Sequence, residues 1–219
     1  METTALPKAR KKRHPAAQKT LRVFCEGAKT EPYYIRGYLS EFRASNRAAV
    51  VEIQPTRKNT PVQLVDEAIK LKKSPRSLPN DEFWVVYDRE SVAKYSRSKH
   101  SEAWQKAQKS GVNIALSNVC FEFWLLLHLK DTSASYSSYD DFYKNSSFSA
   151  EVQKICGKPY SKSSAVLFDN LKAGIADARA RAQKVNAAGI SAAEVSAMPF
   201  DINPYTGMPS LLDAIDAFK

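Results

Sequence analysis

The chain has 219 residues, 43% of them hydrophobic and 26% charged, with a formal net charge of +10. That is enough apolar material for a real core, in one domain with additions or two small ones, but its longest greasy run, FEFWLLLHL, contains Glu122 and His128 and is too short to span a bilayer. Three widely spaced cysteines, Cys25, Cys120 and Cys156, exclude a disulfide framework and fit a reducing cytoplasm, and no zinc-ligand spacing involves His14, His100 or His128.

Residues 1–20 read as a flexible basic arm. Lys8, Arg10, Lys11, Lys12, Arg13 and Lys19 stand against Glu2 alone, half of the whole positive excess. Like charges without apolar periodicity repel, and such an arm either grips phosphates or only solubilises. Nothing in it resembles a secretory signal. A basic protein favours a polyanion as partner.

Leu21–Cys25 is the first strand. Thr30-Glu31-Pro32 opens a helix, in which Tyr34, Ile35, Tyr38, Leu39 and Phe42 recur at helical spacing. A second strand covers 48–53, and Thr60-Pro61 opens a second helix through Val62, Val65, Ala68 and Ile69. A loop at 77–81 precedes the strongly apolar strand FWVVYD at 83–88. A third helix, 100–110, closes on Gly111, and NIALSN at 113–118 is the fourth strand. The order βαβαβαβ, with strands apolar throughout, predicts a parallel sheet covered on both faces.

After residue 118 the pattern changes. CFEFWLLLHL is a buried helix or strand, and SASYSSYDDFYKNSS is an exposed loop leading into a short helix. Residues 164–187 form a longer helix rich in Ala, Lys and Arg. Asn203-Pro204-Tyr205-Thr206 is a turn, in which Thr206 caps the next helix and Asn203 or Thr206 reaches substrate; Leu211, Leu212, Ile215 and Phe218 mark a last amphipathic helix. The expected division is a basic arm (1–20), an α/β core (21–130) and a mainly helical C-terminal part (131–219) packed on it.

Ligands of open parallel sheets bind beyond the carboxyl ends of the strands. The first strand ends in Glu26 and the third in Asp88, with Glu90 two residues on, so three carboxylates fall on one edge. On an extended backbone Asp88 and Glu90 point to the same side. Clustered acids need raised pKa values or a bound cation, and hard oxygen donors without Cys or His suit Mg²⁺ or Mn²⁺. In a basic protein that combination points to phosphodiester chemistry. The turn after the first strand, Glu-Gly-Ala-Lys-Thr-Glu, is neither a dinucleotide-binding glycine loop nor a Walker loop, and no G-x-S-x-G elbow occurs.

Strand–Glu-Gly followed by strand–Asp-x-acid resembles the Toprim domains of topoisomerases, primases and OLD-family nucleases. More closely, CEGAKTEPYY (25–34), VVYDRES (85–91), SNVCFEFWLLLH (117–128) and NPYTGMPSLLDAI (203–215) resemble the RloB-like family, over roughly residues 20–219. The resemblance implies a Toprim-like fold and a Toprim-type nuclease tied to bacterial restriction and abortive-infection loci, sometimes paired with an ABC-type ATPase. By the same likeness Glu26 is the Toprim glutamate, and Asp88 with Glu90 is the metal-binding pair. Two departures stand out: Glu90 replaces the usual Asp, and Val119 stands where proline is common.

Other residues join as candidates. A helical reading puts Asn118 and Glu122 on one face at i, i+4, with Glu122 a further acid and Asn118 a substrate contact beside the metal edge. Arg89 is placed to clamp a phosphate or to screen the acids. Lys29 lies near a helix N-terminus that accepts anions, and Glu31 reads as a favourable first-turn charge. Lys162, in a Tyr-x-Lys block associated with the family, is placed to neutralise transition-state charge. His128, alone on an apolar face, reads as a core histidine.

The leading expectation is therefore a cytoplasmic Mg²⁺/Mn²⁺-dependent nuclease in antiphage defence, cutting DNA or RNA (tRNA included) with water as nucleophile, alone, self-associated or beside an ATPase. The rival is a non-catalytic nucleic-acid-binding or effector subunit. Less favoured are a topoisomerase-like tyrosine, such as Tyr136 or Tyr139, and a phosphatase-like use of Asp88 as nucleophile.

Overall fold

The computed structural model describes residues 18–42 and 50–218; most of the basic arm and the first two residues of the second expected strand lie outside them. Four strands follow the expected order: β1 (Thr20–Cys25), β2 (Val50–Gln54), β3 (Glu82–Asp88) and β4 (Asn113–Asn118). They pair in parallel in the spatial order β2-β1-β3-β4, with Val23 opposite Ile53 and Trp84, and Val86 opposite Ala115. A fifth strand, β5 (Tyr205–Thr206), pairs antiparallel to the outer edge of β4. The molecule is thus an α/β fold on a mostly parallel five-stranded sheet, and its C-terminal part supplies a strand as well as helices.

Alternation along each strand feeds two separate cores, as expected of a sheet buried on both faces. Val23, Cys25, Trp84, Val86 and Ala115 face one core, while Phe24, Phe83, Val85, Tyr87 and Leu116 face the other. The second face is covered by α2 (Pro61–Lys72) and α3 (Arg97–Ser110), which pack on each other. Thr60 caps α2 by accepting from the Gln63 N–H, and Gly111 closes α3 in the left-handed conformation.

The first face is covered by α1 (Thr30–Phe42), α4 (Phe121–Leu129) and the C-terminal helices. FEFWLLLHL resolves as the helix α4. It is apolar all round and buried from Phe121 to His128, as such a helix must be. Two short helices, α5 (Tyr139–Asn145) and α6 (Phe148–Cys156), lead to the segment expected as one helix over 164–187. It is instead broken into α7 (Leu167–Leu171), a 3₁₀ turn (Lys172–Gly174) and α8 (Ile175–Ala192). The break lets α8 pack along α4: a Cβ at Gly174 would lie 2.4 Å from the His128 carbonyl oxygen. The last helix, α9 (Met208–Ala217), buries Leu211, Leu212 and Ile215. Among the described residues no helix is long and apolar enough to cross a membrane.

The strand order reverses between β1 and β3: the chain leaves β1 for β2 on one side and returns to β3 on the other. Glu26 and Asp88 therefore stand at the switch point, where α/β sheets open a crevice beyond their carboxyl ends.

Candidate active site

The β1–β3 ladder runs one residue past β1, with the Glu26 N–H donating to the Val86 carbonyl at 2.9 Å. The side chain of Glu26 then turns across to β3, where Oε2 accepts the Asp88 backbone N–H at 3.1 Å. The carboxylates expected to meet are thus neighbours. They line one cavity of about 300 Å³ with Glu31, Glu90, Glu122, Lys29 and Lys162. Five acids from three chain segments face it, against two lysines.

Burial and mutual repulsion act on these acids as expected. Burial pushes the Glu26 carboxyl up to about 7; Glu90 and Glu31 add to this, while the Asp88 N–H and Lys94 oppose it. The Asp88 carboxyl is pushed well above its usual range, first by burial and then by Glu31, Glu122, Glu26 and Glu90 together. Glu31 is raised as well, by burial and by Glu122, although its own N–H, Lys162 and the Gly27 N–H hold it back.

Glu31 is the member that the sequence pattern hides. It opens α1, but it is only 7% exposed and folds back over Gly27, where a Cβ would fall 2.2 Å from its Oε2. The glycine of Glu-Gly is thus needed for the close approach of this carboxyl. Reading Glu31 as a first-turn charge described its place on the helix but not its target.

Glu90 reaches the cavity by a different route from the one expected. It is not on extended backbone: its φ is +58°, in the left-handed region that few non-glycine residues occupy. Its N–H donates to the Val119 carbonyl at 3.0 Å, and its carboxylate pairs with Lys94 at 2.6 Å. The Asn118–Val119 peptide is cis.

Glu122 does not share a helix face with Asn118, because β4 ends at Asn118 and α4 begins at Phe121. Its carboxylate is 2% exposed, accepts the Tyr160 hydroxyl at 2.8 Å and lies 3.4 Å from Lys162 Nζ. Lys162 also sits over the Tyr139 ring, 3.8 Å from its centroid. Burial opposes the Lys162 charge, but Glu122, Tyr139 and Asp88 hold its pKa above the ordinary value. Thr30 fixes this segment to the start of α1 by donating to the Lys162 carbonyl at 3.2 Å. Tyr160 was visible only as the first residue of the Tyr-x-Lys block; its bond to Glu122 could not be read from it.

Several candidates stand elsewhere. Arg89 follows Asp88 on the strand and points to the opposite side, as alternation requires. Its guanidinium donates to the carbonyls of Phe200 and Tyr95, both at 3.0 Å, and it does not line the acid cavity. Asn118 likewise donates to the Ile202 carbonyl at 2.7 Å. Both residues hold the 199–202 segment against the sheet; neither is aimed at a substrate in the acid cavity. Thr206 is fully buried, shares a hydrogen bond with Ser117 and accepts the Met208 N–H at 3.3 Å, so it serves the start of α9 rather than a substrate. Asn203 donates to the Tyr136 carbonyl. His128 is a core histidine, bonded to Tyr34 and to the Trp124 carbonyl, with burial lowering its pKa to about 4.

The donor set fits a hard divalent cation in kind: carboxylate oxygens, with raised pKa values that a cation would reverse. Among the described residues, however, no three metal-ligating side chains stand arranged around a common point. Glu26 is turned to the Asp88 N–H, Glu90 to Lys94, and Glu122 to Tyr160 and Lys162.

The family model for RloB-like protein matches residues 21–215, nearly the whole described chain. Comparison with curated proteins and with solved structures returned no match.

Proposed function

The chain belongs to the RloB-like family, and we propose that it is a Toprim-type nuclease dependent on Mg²⁺ or Mn²⁺, working in the cytoplasm as an effector of antiphage defence. The observation that carries this reading is the convergence of Glu26, Asp88 and Glu90 on one cavity at the switch point of the sheet, with Glu31 and Glu122 behind them and Lys162 alongside. So many acids at one buried spot are costly unless a cation is shared among them.

Glu26, Asp88 and Glu90 would hold the ion. When bound, it supplies Lewis-acid polarisation of a phosphodiester and a water of lowered pKa. Lys162, kept charged by Glu122 and Asp88, faces the same cavity and stabilises negative charge building on the phosphate oxygens. Glu122 and Tyr160 position that lysine. Lys29, exposed on the rim, attracts the substrate backbone. No activated side-chain nucleophile faces the cavity among the described residues, which leaves water for that role; Tyr139 carries its proton up to about pH 12.

A second reading, a non-catalytic subunit that binds nucleic acid and acts with an ATPase, draws on the ion pairs that already engage Glu90 and Glu122. One experiment separates the two. Purified protein is incubated with plasmid DNA, phage DNA and a tRNA pool, with Mn²⁺, Mg²⁺ or EDTA. The nuclease reading expects metal-dependent cleavage of one of these that is lost in Asp88→Asn. Tight binding without cleavage in any metal overturns it in favour of the second reading.

A further inference from the structure

Beside the acid cavity lies a larger one of about 770 Å³, and the two share Gly27 and Ala28 as a common wall. The larger cavity opens at the carboxyl ends of β1 and β2. Its floor is apolar, from buried Cys25 and Pro32 and half-buried Ile53. Its rim carries three exposed cations: Arg36 from α1, and Arg57 and Lys58 from the loop between β2 and α2. None of the three forms a salt bridge among the described residues. Among the described residues the one acid at this cavity, Glu67, is engaged by the Thr56 hydroxyl.

Elsewhere in the fold Arg22, Lys106, Lys172, Arg179 and Arg181 are each paired with carboxylates. Three unpaired ones around one concave cleft, next to an acid site, make a local anion trap. Among the described residues no aromatic ring lines the cleft, so they offer no stacking platform that reads or grips bases. Affinity there must come from phosphates, which position a strand without reading its sequence.

We propose that this basic cleft is the strand-binding subsite of the acid cavity: it holds the phosphates of a nucleic-acid strand next to the bond placed over Glu26 and Asp88, with little regard for sequence. The strand crosses the Gly27–Ala28 wall, and Arg36, Arg57 and Lys58 take the neighbouring phosphates. The assignment deepens the nuclease reading and rests on it for the scissile bond, but the binding itself needs no metal.

The test uses the full chain in EDTA, with a fluorescent single-stranded 12-mer of mixed sequence, as DNA and as RNA, and anisotropy across a salt series. Wild type binds the 12-mer with no metal present. Arg36→Ala/Arg57→Ala/Lys58→Ala binds more weakly, and its slope of log K against log salt falls by about 2, from three phosphate contacts at ~0.7 each on a single strand. Arg57→Glu alone weakens binding further than Arg57→Ala. Photocrosslinking from a 4-thiouridine-containing strand labels the peptide 53–58. Equal binding by wild type and the triple variant, or crosslinks confined to residues 1–20, overturns the subsite. So does a free mononucleotide that binds the cleft without competing against the 12-mer. Loss of cleavage with Mn²⁺ while the binding difference persists would instead sink the nuclease reading and leave the cleft in place.

Discussion

Replacing Glu26 by Gln should stabilise the protein when no metal is present. The carboxyl is held at about 7 in the fold against 4.5 for the free group, chiefly by burial. A carboxyl raised in the fold binds its proton more tightly folded than unfolded, so stability falls as pH rises from 4.5 to 7. Two and a half pH units at 1.36 kcal/mol each give about 3 kcal/mol of destabilisation at pH 8, and less than about 1 kcal/mol at pH 5. The amide keeps an oxygen to accept the Asp88 N–H but carries no charge to repel Glu31 and Glu90. Urea denaturation in EDTA is the assay: E26Q should gain about 1–3 kcal/mol over wild type at pH 8, with most of the gain gone at pH 5. Excess Mg²⁺ or Mn²⁺ should raise wild type more than the variant, by mass action on the folded form. An E26Q protein that is less stable than wild type at pH 8, or a gain that does not shrink at pH 5, would refute the idea that this carboxylate is forced into the cluster at a cost.

Gly27→Ala should push the Glu31 carboxyl out of the cavity, since the new Cβ would lie 2.2 Å from it; cleavage should fall at least tenfold with the fold intact by circular dichroism, and an unchanged rate would show that Glu31 is a bystander. His128 and His100 are buried and each held at about 4, so the neutral forms stabilise the fold above pH 6.5. That stability should drain away between pH 6.5 and 4, by about 3 kcal/mol for each histidine, and His128→Gln should flatten the acid limb of a stability–pH curve. Asn118→Ala removes a buried bond to the Ile202 carbonyl and should cost about 1–3 kcal/mol in denaturant unfolding, with Arg89→Lys weakening the same segment because one ammonium cannot serve the carbonyls of both Phe200 and Tyr95 in the guanidinium's geometry.

What could be read from the sequence follows from which signals are local. β1, β3 and β4 were legible as largely buried apolar runs broken by turn residues, and the half-buried edge strand β2 by its Val-Val-x-Ile core; a parallel order follows from the helices between them. β5 was not, because a two-residue strand has no periodicity to detect; it exists because the 203–206 turn brings Tyr205 beside Asn118. The break before α8 was hidden for a related reason: Leu167, Leu171 and Lys172 before it and the Ala- and Arg-rich run after it all favour helix, and the close approach of Gly174 to α4 is a tertiary demand. At the site, Glu26 and Asp88 were legible as strand ends on one edge. Arg89 was misplaced although alternation already put it on the other side of β3 from Asp88. Glu90 reached the cavity despite the failure of the extended-backbone argument, through a left-handed residue that no spacing reveals. Glu31 and Tyr160 entered by side-chain reach across elements, which sequence distance cannot report.

The proposed chemistry requires the acids of β1 and β3 to share a cation. Titration of Mn²⁺ into the metal-free protein, followed by electron paramagnetic resonance, tests this most directly. Wild type should bind at least one ion, displaced by excess Mg²⁺, and because Glu26 titrates at about 7 the apparent affinity should be about tenfold weaker at pH 6 than at pH 8. Asp88→Asn should lose the site. Equal Mn²⁺ binding by wild type and Asp88→Asn, or none by either, would contradict the account.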